Sequence, residues 1–414
     1  MALQQNTASS MVTMTMRCIG NVDIKMLSTC ISARIQKLSC QKGDGYERRR
    51  KMMNLFDLLP QEERDKFKPI KSTDWKWSFK DYPPKNGLKV FSCFACGGGS
   101  TMGYKLAGCE VLGCCEIDPK MNEVYVKNHK PKYNFLMDIR EFNKKEDLPD
   151  ELYNLDILDG SPPCTTFSMA GDREESWGKK KKFREGQAEQ TLDDLSFVFI
   201  ETAKKLKPKC VIMENVEGLL LGKAWAYVQE IYKQFKDAGY RLKHWLCKGE
   251  QMGVPQTRHR VFFIAVRNDI EFDLDGLDMT FNYEPITYGE IKQGVGEPLN
   301  KQTVVYDWLL KSNKADKRLG DTVMRYGLPE KLFNERIFWE HNIVQTIASS
   351  GGMYRGKEKT RVSCEDIINA QTFPQDYNFI DRCCKNVQYL CGMSVPPIMI
   401  KRIVTRLIEA GLFK

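Results

Sequence analysis

From Leu88 onward the chain alternates short apolar runs with amphipathic stretches, and this alternation limits the folds open to it. "LKVFSCF" is an apolar run that ends in Gly97–Gly99, and the helical stretch after it closes at Gly108, a residue suited to a helix C-cap. "EVLGCCEID", "NLDILDG" and "KCVIMENV" read as three further strands. Between the last two, "LDDLSFVFIETAKKL" carries Leu195, Phe199 and Ala203 at helical spacing, and "WAYVQEIYKQFKDAG" reads as another helix. Strands that alternate with helices predict a parallel sheet covered on both faces. The expected class is therefore α/β, doubly wound.

The rhythm breaks at both ends of this core. Residues 1–51 are rich in Met, Ser and Thr, lack a helical or strand period, and lack the long apolar core of a secretion signal because Arg17 interrupts it. They read either as a disordered segment or as the product of a start placed too early, with Met52 or Met53 as the natural beginning. The intact mass of the native protein tests this. Residues 1–85 are taken as an N-terminal extension and 86–270 as the catalytic and cofactor-binding domain. Residues 271–355 have irregular apolar spacing and read as a separate smaller domain. Residues 356–414 end in "PPIMIKRIVTRLIEAGLF", an amphipathic helix started at Pro397, ended near Gly411 and expected to return to the catalytic domain. A length of 414 residues accommodates two or three domains at a prior of ~150 residues each.

Charge and cysteine usage narrow the partners. A net charge of +9 favours a polyanion, nucleic acid first. No uninterrupted run of ~18 apolar residues argues for a membrane span. The 15 cysteines are odd in number and show no disulfide framework, so they read as reduced thiols in a cytosolic compartment. Cys93 and Cys96 form a C-x-x-C without a second pair, so no metal site is expected. The adjacent pairs Cys114–Cys115 and Cys383–Cys384 read as packing residues.

In an open parallel sheet, ligands bind beyond the carboxyl ends of the strands. After the first strand comes "FACGGGSTMG", where glycines permit a tight turn and close backbone approach. The dinucleotide fingerprint G-x-G-x-x-G fails at Met102, and the loop alone leaves ligand binding and a plain turn both open. The next strand ends at Glu116, about twenty residues on, where a carboxylate suits ribose hydroxyls. Asp138 in "FLMDIR" is placed to accept a bond from an adenine amino group. Together these residues point to an adenosine-bearing cofactor without a pyrophosphate.

A second cluster follows the next two strands in this reading. In "GSPPCTTFS", Pro162 and Pro163 stiffen the approach to Cys164. A free thiol is mostly protonated at neutral pH, so a reactive Cys164 needs nearby positive charge or a helix start. Glu214 ends "VIMENV" as a candidate acid. In "GVPQTRHRVFFIAV", Arg258 and Arg260 lie on one face if the segment is a strand, and "RVFFIAV" continues as a buried run.

"FACGGG", "GSPPCTTFS", "ENV" and "PQTRHR" occur in the order and spacing of the DNA (cytosine-5)-methyltransferases of bacterial and phage type, which the chain resembles from about Leu88 to its C-terminus. The resemblance implies a Rossmann-like S-adenosylmethionine-dependent methyltransferase sheet, with residues 271–355 as target-recognition domain. It implies Cys164 as nucleophile, Glu214 as the acid on ring nitrogen 3 of cytosine, Arg260 on the exocyclic oxygen, and Arg258 in support. The same likeness places Phe94, Gly97, Gly98, Gly99, Glu116, Ile117, Asp138, Ile139, Pro162 and Ser394 around S-adenosylmethionine. Lys179, Lys180, Lys181, Lys182 and Arg184, in "WGKKKKFR", fall in the loop that closes on DNA in this family and are expected to meet phosphates. Double-stranded DNA is the implied partner, met by a monomer in the cytoplasm of a bacterial or phage-infected cell, and a partner restriction nuclease stays open.

The chain departs from the family pattern at several points. Cys96 stands where glycine is usual and Thr165 where glutamine is usual after the nucleophile. "RVSCEDIINAQTFP" has Asp366 for glutamate and no matching Pro-Arg, and "LCGMSVPP" has Leu390 and Met393 for glutamine and asparagine. A tRNA cytosine-5 methyltransferase and a catalytically impaired DNA-binding relative are the alternatives. A nicotinamide dehydrogenase is disfavoured by the failed glycine fingerprint.

Overall fold

The computed structural model describes residues 68–163, 194–329, 332 and 335–414. Lys71–Leu277 and Tyr283–Lys414 form one compact unit, and the described part of a second is residues 68–70 and 278–282. The first unit opens with β1 (Lys89–Cys93), α1 (Gly99–Leu106), β2 (Glu110–Glu116), α2 (Pro119–His129), β3 (Tyr133–Leu136) and α3 (Ile139–Lys144). It continues with β4 (Ile157–Gly160), α4 (Leu195–Leu206), β5 (Cys210–Val216), α5 (Trp225–Asp237), β6 (Tyr240–Lys248), β7 (Gln256–Thr257) and β8 (His259–Arg267).

Seven of these strands form one sheet in the order β3-β2-β1-β4-β5-β8-β6. The first five are parallel, and the chain reverses its direction of travel between β1 and β4. Loops at the carboxyl ends of strands flanking such a reversal diverge and leave a crevice. The strands are apolar because both faces are covered: Ile157, Leu158, Val211, Ile212 and Met213 are fully buried. Phe91 stacks on Phe142 of α3 with ring centroids 5.4 Å apart. Each such large side chain contributes roughly 1.5–3 kcal/mol on burial.

Two expectations need correcting. The sheet is mixed, because β8 runs antiparallel to both β5 and β6. The link from β6 to β8, residues 249–258, holds one short 3-10 turn and the two-residue β7 but no crossover helix. Without a crossover the chain returns antiparallel beside the strand it has just left. The sheet also contains β3, which no apolar run announced. Its residues are at most half-buried at one sheet edge, so Cys164 follows the fourth strand and Glu214 lies in the fifth.

The rest of the unit comprises α6 (Tyr288–Ile291), α7 (Val304–Lys311), α8 (Leu319–Arg325), β9 (Arg336–Phe338), β10 (Val344–Gln345), β11 (Met353–Arg355), β12 (Thr360–Arg361), α9 (Cys364–Ala370), α10 (Cys384–Met393) and α11 (Pro397–Glu409). Leu309, Leu319, Ile337, Trp339 and Tyr354 form a separate small core. β10 pairs in parallel with β7, joining the end of this region to the link between β6 and β8 of the large sheet. Helix α11 buries Ile398, Ile400, Ile403, Val404 and Leu407 and packs against α1. Trp77 is buried, its indole Nε1 donating to the Thr372 carbonyl at 2.8 Å.

The reading of every cysteine as a reduced thiol is also corrected. Cys364 and Cys384 form a disulfide, with Cα atoms 5.2 Å apart. They are the first residues of α9 and α10, which pack together and bring the two positions within bridging range. Cys383 is exposed, whereas Cys114 and Cys115 are buried as expected of packing residues. No helix among the described residues is long and apolar enough to cross a membrane.

Candidate active site

A cavity of about 260 Å³ opens at the carboxyl ends of the parallel strands. β1 hands over to α1 through a loop in which Phe94, Cys96 and Gly98 adopt φ of 55°, 45° and 84°. Glycine tolerates this left-handed backbone, and Gly98 is the N-cap of α1. Phe94 and Cys96 line the cavity. Burial, with Glu116, Asp118 and Glu214 nearby, pushes the Cys96 thiol well above its ordinary range, so it stays protonated.

Glu116 ends β2 in the same cavity and is buried. Its Oε2 accepts the Cys96 amide at 2.8 Å, and its Oε1 accepts the Ile117 and Asp118 amides at 2.9 and 2.8 Å. Burial pushes the carboxyl up, opposed by these amide donors. A carboxylate has about four acceptor sites, so one remains on Oε2. Ile117, Asp138 and Ile139 complete this end. Asp138 is the N-cap of α3, its Oδ1 accepting the Arg140 amide at 2.8 Å.

The other end carries the charged groups. Glu214 and Arg260 occupy adjacent strands, near their register partners Phe262 and Val216. Arg260 Nε donates to Glu214 Oε1 at 2.8 Å, and its Nη1 donates to the His259 carbonyl at 2.7 Å. Burial pulls the Arg260 guanidinium below its ordinary range, and the Glu214 charge opposes this. Ser161, Pro162 and Pro163 lead out of β4 along the wall. Asn215 Nδ2 donates to the Pro162 carbonyl at 3.4 Å, tying that segment to β5.

Arg258 departs from expectation. It precedes β8 and does not share a strand face with Arg260. A tight turn, in which the Arg258 amide donates to the Gln256 carbonyl at 2.9 Å, redirects it. Its Nη1 donates to the Ile347 carbonyl and its Nη2 to that of Gly392, both at 3.1 Å. Burial, with Arg260 adding, brings this guanidinium down to about 9.

Gly97, Gly98, Gly99 and Ser394 are not part of the cavity lining. The Gly97 carbonyl accepts from Tyr377 Oη, and the His129 ring covers Gly98. A Cβ on Gly99 would meet the Val395 carbonyl and Ser394 Cβ, so this glycine permits a close approach between α1 and the C-terminal segment. Ser394 Oγ is buried there without a hydrogen-bond partner among the described residues. Cys164, Lys179, Lys180, Lys181, Lys182 and Arg184 lie outside the described residues.

Several lining residues escaped the sequence reading. Met121, Met137, Leu195 and Tyr389 add apolar wall, and Gly392 and Met393 close it from α10. Asp118 had a local signal, since it precedes Pro119 and caps α2 by accepting the Lys120 amide at 2.9 Å. A deep acid, a second acid and apolar walls between them fit an adenosine-bearing cofactor. Among the described residues no cluster of three or more His, Cys, Asp or Glu is arranged to hold a metal ion.

The sequence model of the C-5 cytosine-specific DNA methylases matches residues 88–409. The Type II methyltransferase M.FnuDI of Fusobacterium nucleatum is 33% identical over 183 residues, covering 44% of this chain. The chain spans about half the length of that relative and of M.NgoPII from Neisseria gonorrhoeae, 48% and 50%. Type II methyltransferase M1.HphI of Haemophilus parahaemolyticus is 25% identical over 344 residues, 78% of this chain and 87% of its own length. Among solved structures, a putative DNA modification methyltransferase encoded within an E. coli prophage superposes with a TM-score of 0.55 at 17% identity, covering 78% of this chain and 99% of that one. DNMT2 of Spodoptera frugiperda superposes with a TM-score of 0.53 at 17% identity, covering 79% and 100%. The family match runs through most of the chain, from the first strand to the last helix, and the protein belongs to the C-5 cytosine-specific DNA methylases.

Proposed function

We propose that the protein transfers a methyl group to carbon 5 of a cytosine flipped out of duplex DNA, through a covalent adduct at Cys164. The observation that carries this reading is the Glu214–Arg260 pair in one cavity with Glu116 and Asp138, beside the Pro162–Pro163 approach to Cys164. Among the described residues Glu214 Oε2 and Arg260 Nη2 have no hydrogen-bond partner, so both are available to a base.

In this mechanism the Cys164 sulfur forms a bond to carbon 6 while Glu214 delivers a proton to ring nitrogen 3. Arg260 holds the exocyclic oxygen at carbon 2. The electrons thus placed in the ring make carbon 5 nucleophilic. S-adenosylmethionine, when bound, supplies the electrophilic methyl group. Loss of the carbon-5 proton to solvent then restores the carbon 5–carbon 6 double bond as the carbon 6–sulfur bond breaks, which releases the Cys164 thiolate, and ring nitrogen 3 returns its proton to Glu214. Glu116 holds the ribose, Asp138 the adenine amino group, and Phe94, Ile117 and Ile139 enclose the adenine ring. The cytosine leaves the duplex stack before any of these steps.

Residues 271–355, which contain the small core around Trp339, read the DNA sequence, while Lys179–Lys182 and Arg184 neutralise phosphates. The test is transfer of labelled methyl from S-adenosylmethionine to duplex DNA of mixed sequence, with tRNA in parallel and Cys164→Ala as control. Label in DNA cytosine that disappears in the variant is the expected result. Label in tRNA alone, or equal transfer by the variant, overturns the reading.

A further inference from the structure

The histidine between the two arginines, His259, has a role that neither the cavity nor the proposed chemistry assigns. Its Nδ1 lies 3.2 Å from Glu217 Oε2 and its Nε2 lies 2.9 Å from Glu250 Oε1. A neutral imidazole has one N–H and one lone pair, so it can donate to only one of two carboxylates. The imidazolium has two N–H donors and satisfies both. The arrangement therefore selects the charged form by geometry.

Both carboxylates come from the turns that frame the site. Glu217 opens the 3-10 turn directly after β5, three positions beyond Glu214. Glu250 belongs to the 3-10 turn directly after β6. His259 is the first residue of β8, and its own carbonyl accepts Arg260 Nη1. The ring thus joins the ends of three neighbouring strands, and its backbone carries one of the two bonds that orient Arg260.

We infer that His259, held as an imidazolium between Glu217 and Glu250, is a positioning residue for Arg260. Its consequence for turnover rests on the methyl-transfer reading above, whereas its charge state does not. The charged groups around it are Glu217 after β5, Glu250 and Lys248 at the end of β6, and Arg258 and Arg260 on its own segment, with Glu214 beyond Arg260. The Glu250 bond pushes His259 up, opposed by partial burial and aided by the charges of both glutamates. As pH rises through its folded value, one carboxylate comes to face a lone pair and the frame around Arg260 loosens. Turnover then falls on the alkaline side.

The chain has four histidines, which makes the charge state directly observable. ¹⁵N-histidine NMR of the full protein, with His259→Gln to assign the signal, is expected to show His259 titrating above its ordinary value of ~6.5. In Glu250→Gln it is expected to move back toward that value. Titration at or below ~6.5 in the wild-type protein overturns the proposal whatever the activity. On duplex DNA, His259→Gln is expected to lower kcat about tenfold with KM for S-adenosylmethionine changed less than about twofold, and to lose the alkaline fall. An unchanged kcat and pH profile in a folded His259→Gln overturns the positioning role. Should that variant fail to fold, Glu250→Gln, which keeps the ring and the Glu217 contact, must shift the alkaline limb downward or the role is refuted. A wild-type protein without methyl transfer overturns the function above and leaves the NMR titration to judge the imidazolium.

Discussion

Asp159 is a buried acid with no part in the proposed chemistry, and its cost is measurable. It lies in β4 with 3% exposure, accepting from Ser92 Oγ at 2.6 Å and Tyr104 Oη at 3.0 Å. Burial raises its carboxyl from 3.8 to about 6, although these hydroxyl donors pull it down. The unfolded chain therefore releases this proton first as pH rises, and the folded chain holds it until about 6. The stability contributed by the neutral acid is fully present below 3.8 and is lost as pH rises through about 6. At 1.36 kcal/mol per pH unit the whole change is ~3 kcal/mol. Roughly 2.4 kcal/mol of it falls between pH 4 and pH 7.5.

Asp159→Asn keeps the shape and removes the titration. Its stability relative to wild type is therefore expected to rise by about 2.4 kcal/mol from pH 4 to pH 7.5, whatever the offset at either end. For a unit of this size that equals a relative midpoint gain of about 3 °C in scanning calorimetry. Comparing the two proteins at each pH cancels the titrating groups that are not coupled to Asp159. A difference that stays flat across the range, within ~0.5 kcal/mol, would refute the claim that a buried ionised Asp159 destabilises the neutral-pH fold.

Glu116→Gln faces three backbone N–H donors with an amide that has one acceptor oxygen, so one donor meets another donor and the ribose site is disturbed. S-adenosylmethionine should bind at least about tenfold more weakly by titration calorimetry, or ~1.4 kcal/mol, and unchanged affinity would exclude Glu116 from the cofactor site. Gly99→Ala adds a Cβ against the Val395 carbonyl and 2.9 Å from Ser394 Cβ. The helix α1 must move from the C-terminal segment, with an expected loss of about 1–3 kcal/mol in denaturant unfolding. A variant as stable as wild type would mean that this close approach is not maintained in solution.

The strands buried on both faces are legible in the amino-acid pattern. β1, β2, β4 and β5 appear as apolar runs ended by Gly, Asp or Asn, because burial and turn chemistry act on neighbouring residues. The acids at the ends of β2 and β5, and the stiff Pro162–Pro163 segment, were legible for the same reason. Strand β3 was not, because a short, half-exposed edge strand has no strong apolar pattern. The direction of β8 depended on the absence of a crossover helix, which strand patterns alone do not report. Tertiary structure alone decided what the glycines meet, where Arg258 reaches and what His259 holds. Gly97 is bonded by Tyr377, 280 positions away, and Arg258 by carbonyls 89 and 134 positions away. Such contacts leave no period in the chain. They follow from the sheet order, which brings distant loops to one edge and lets polar groups complete their hydrogen bonds there.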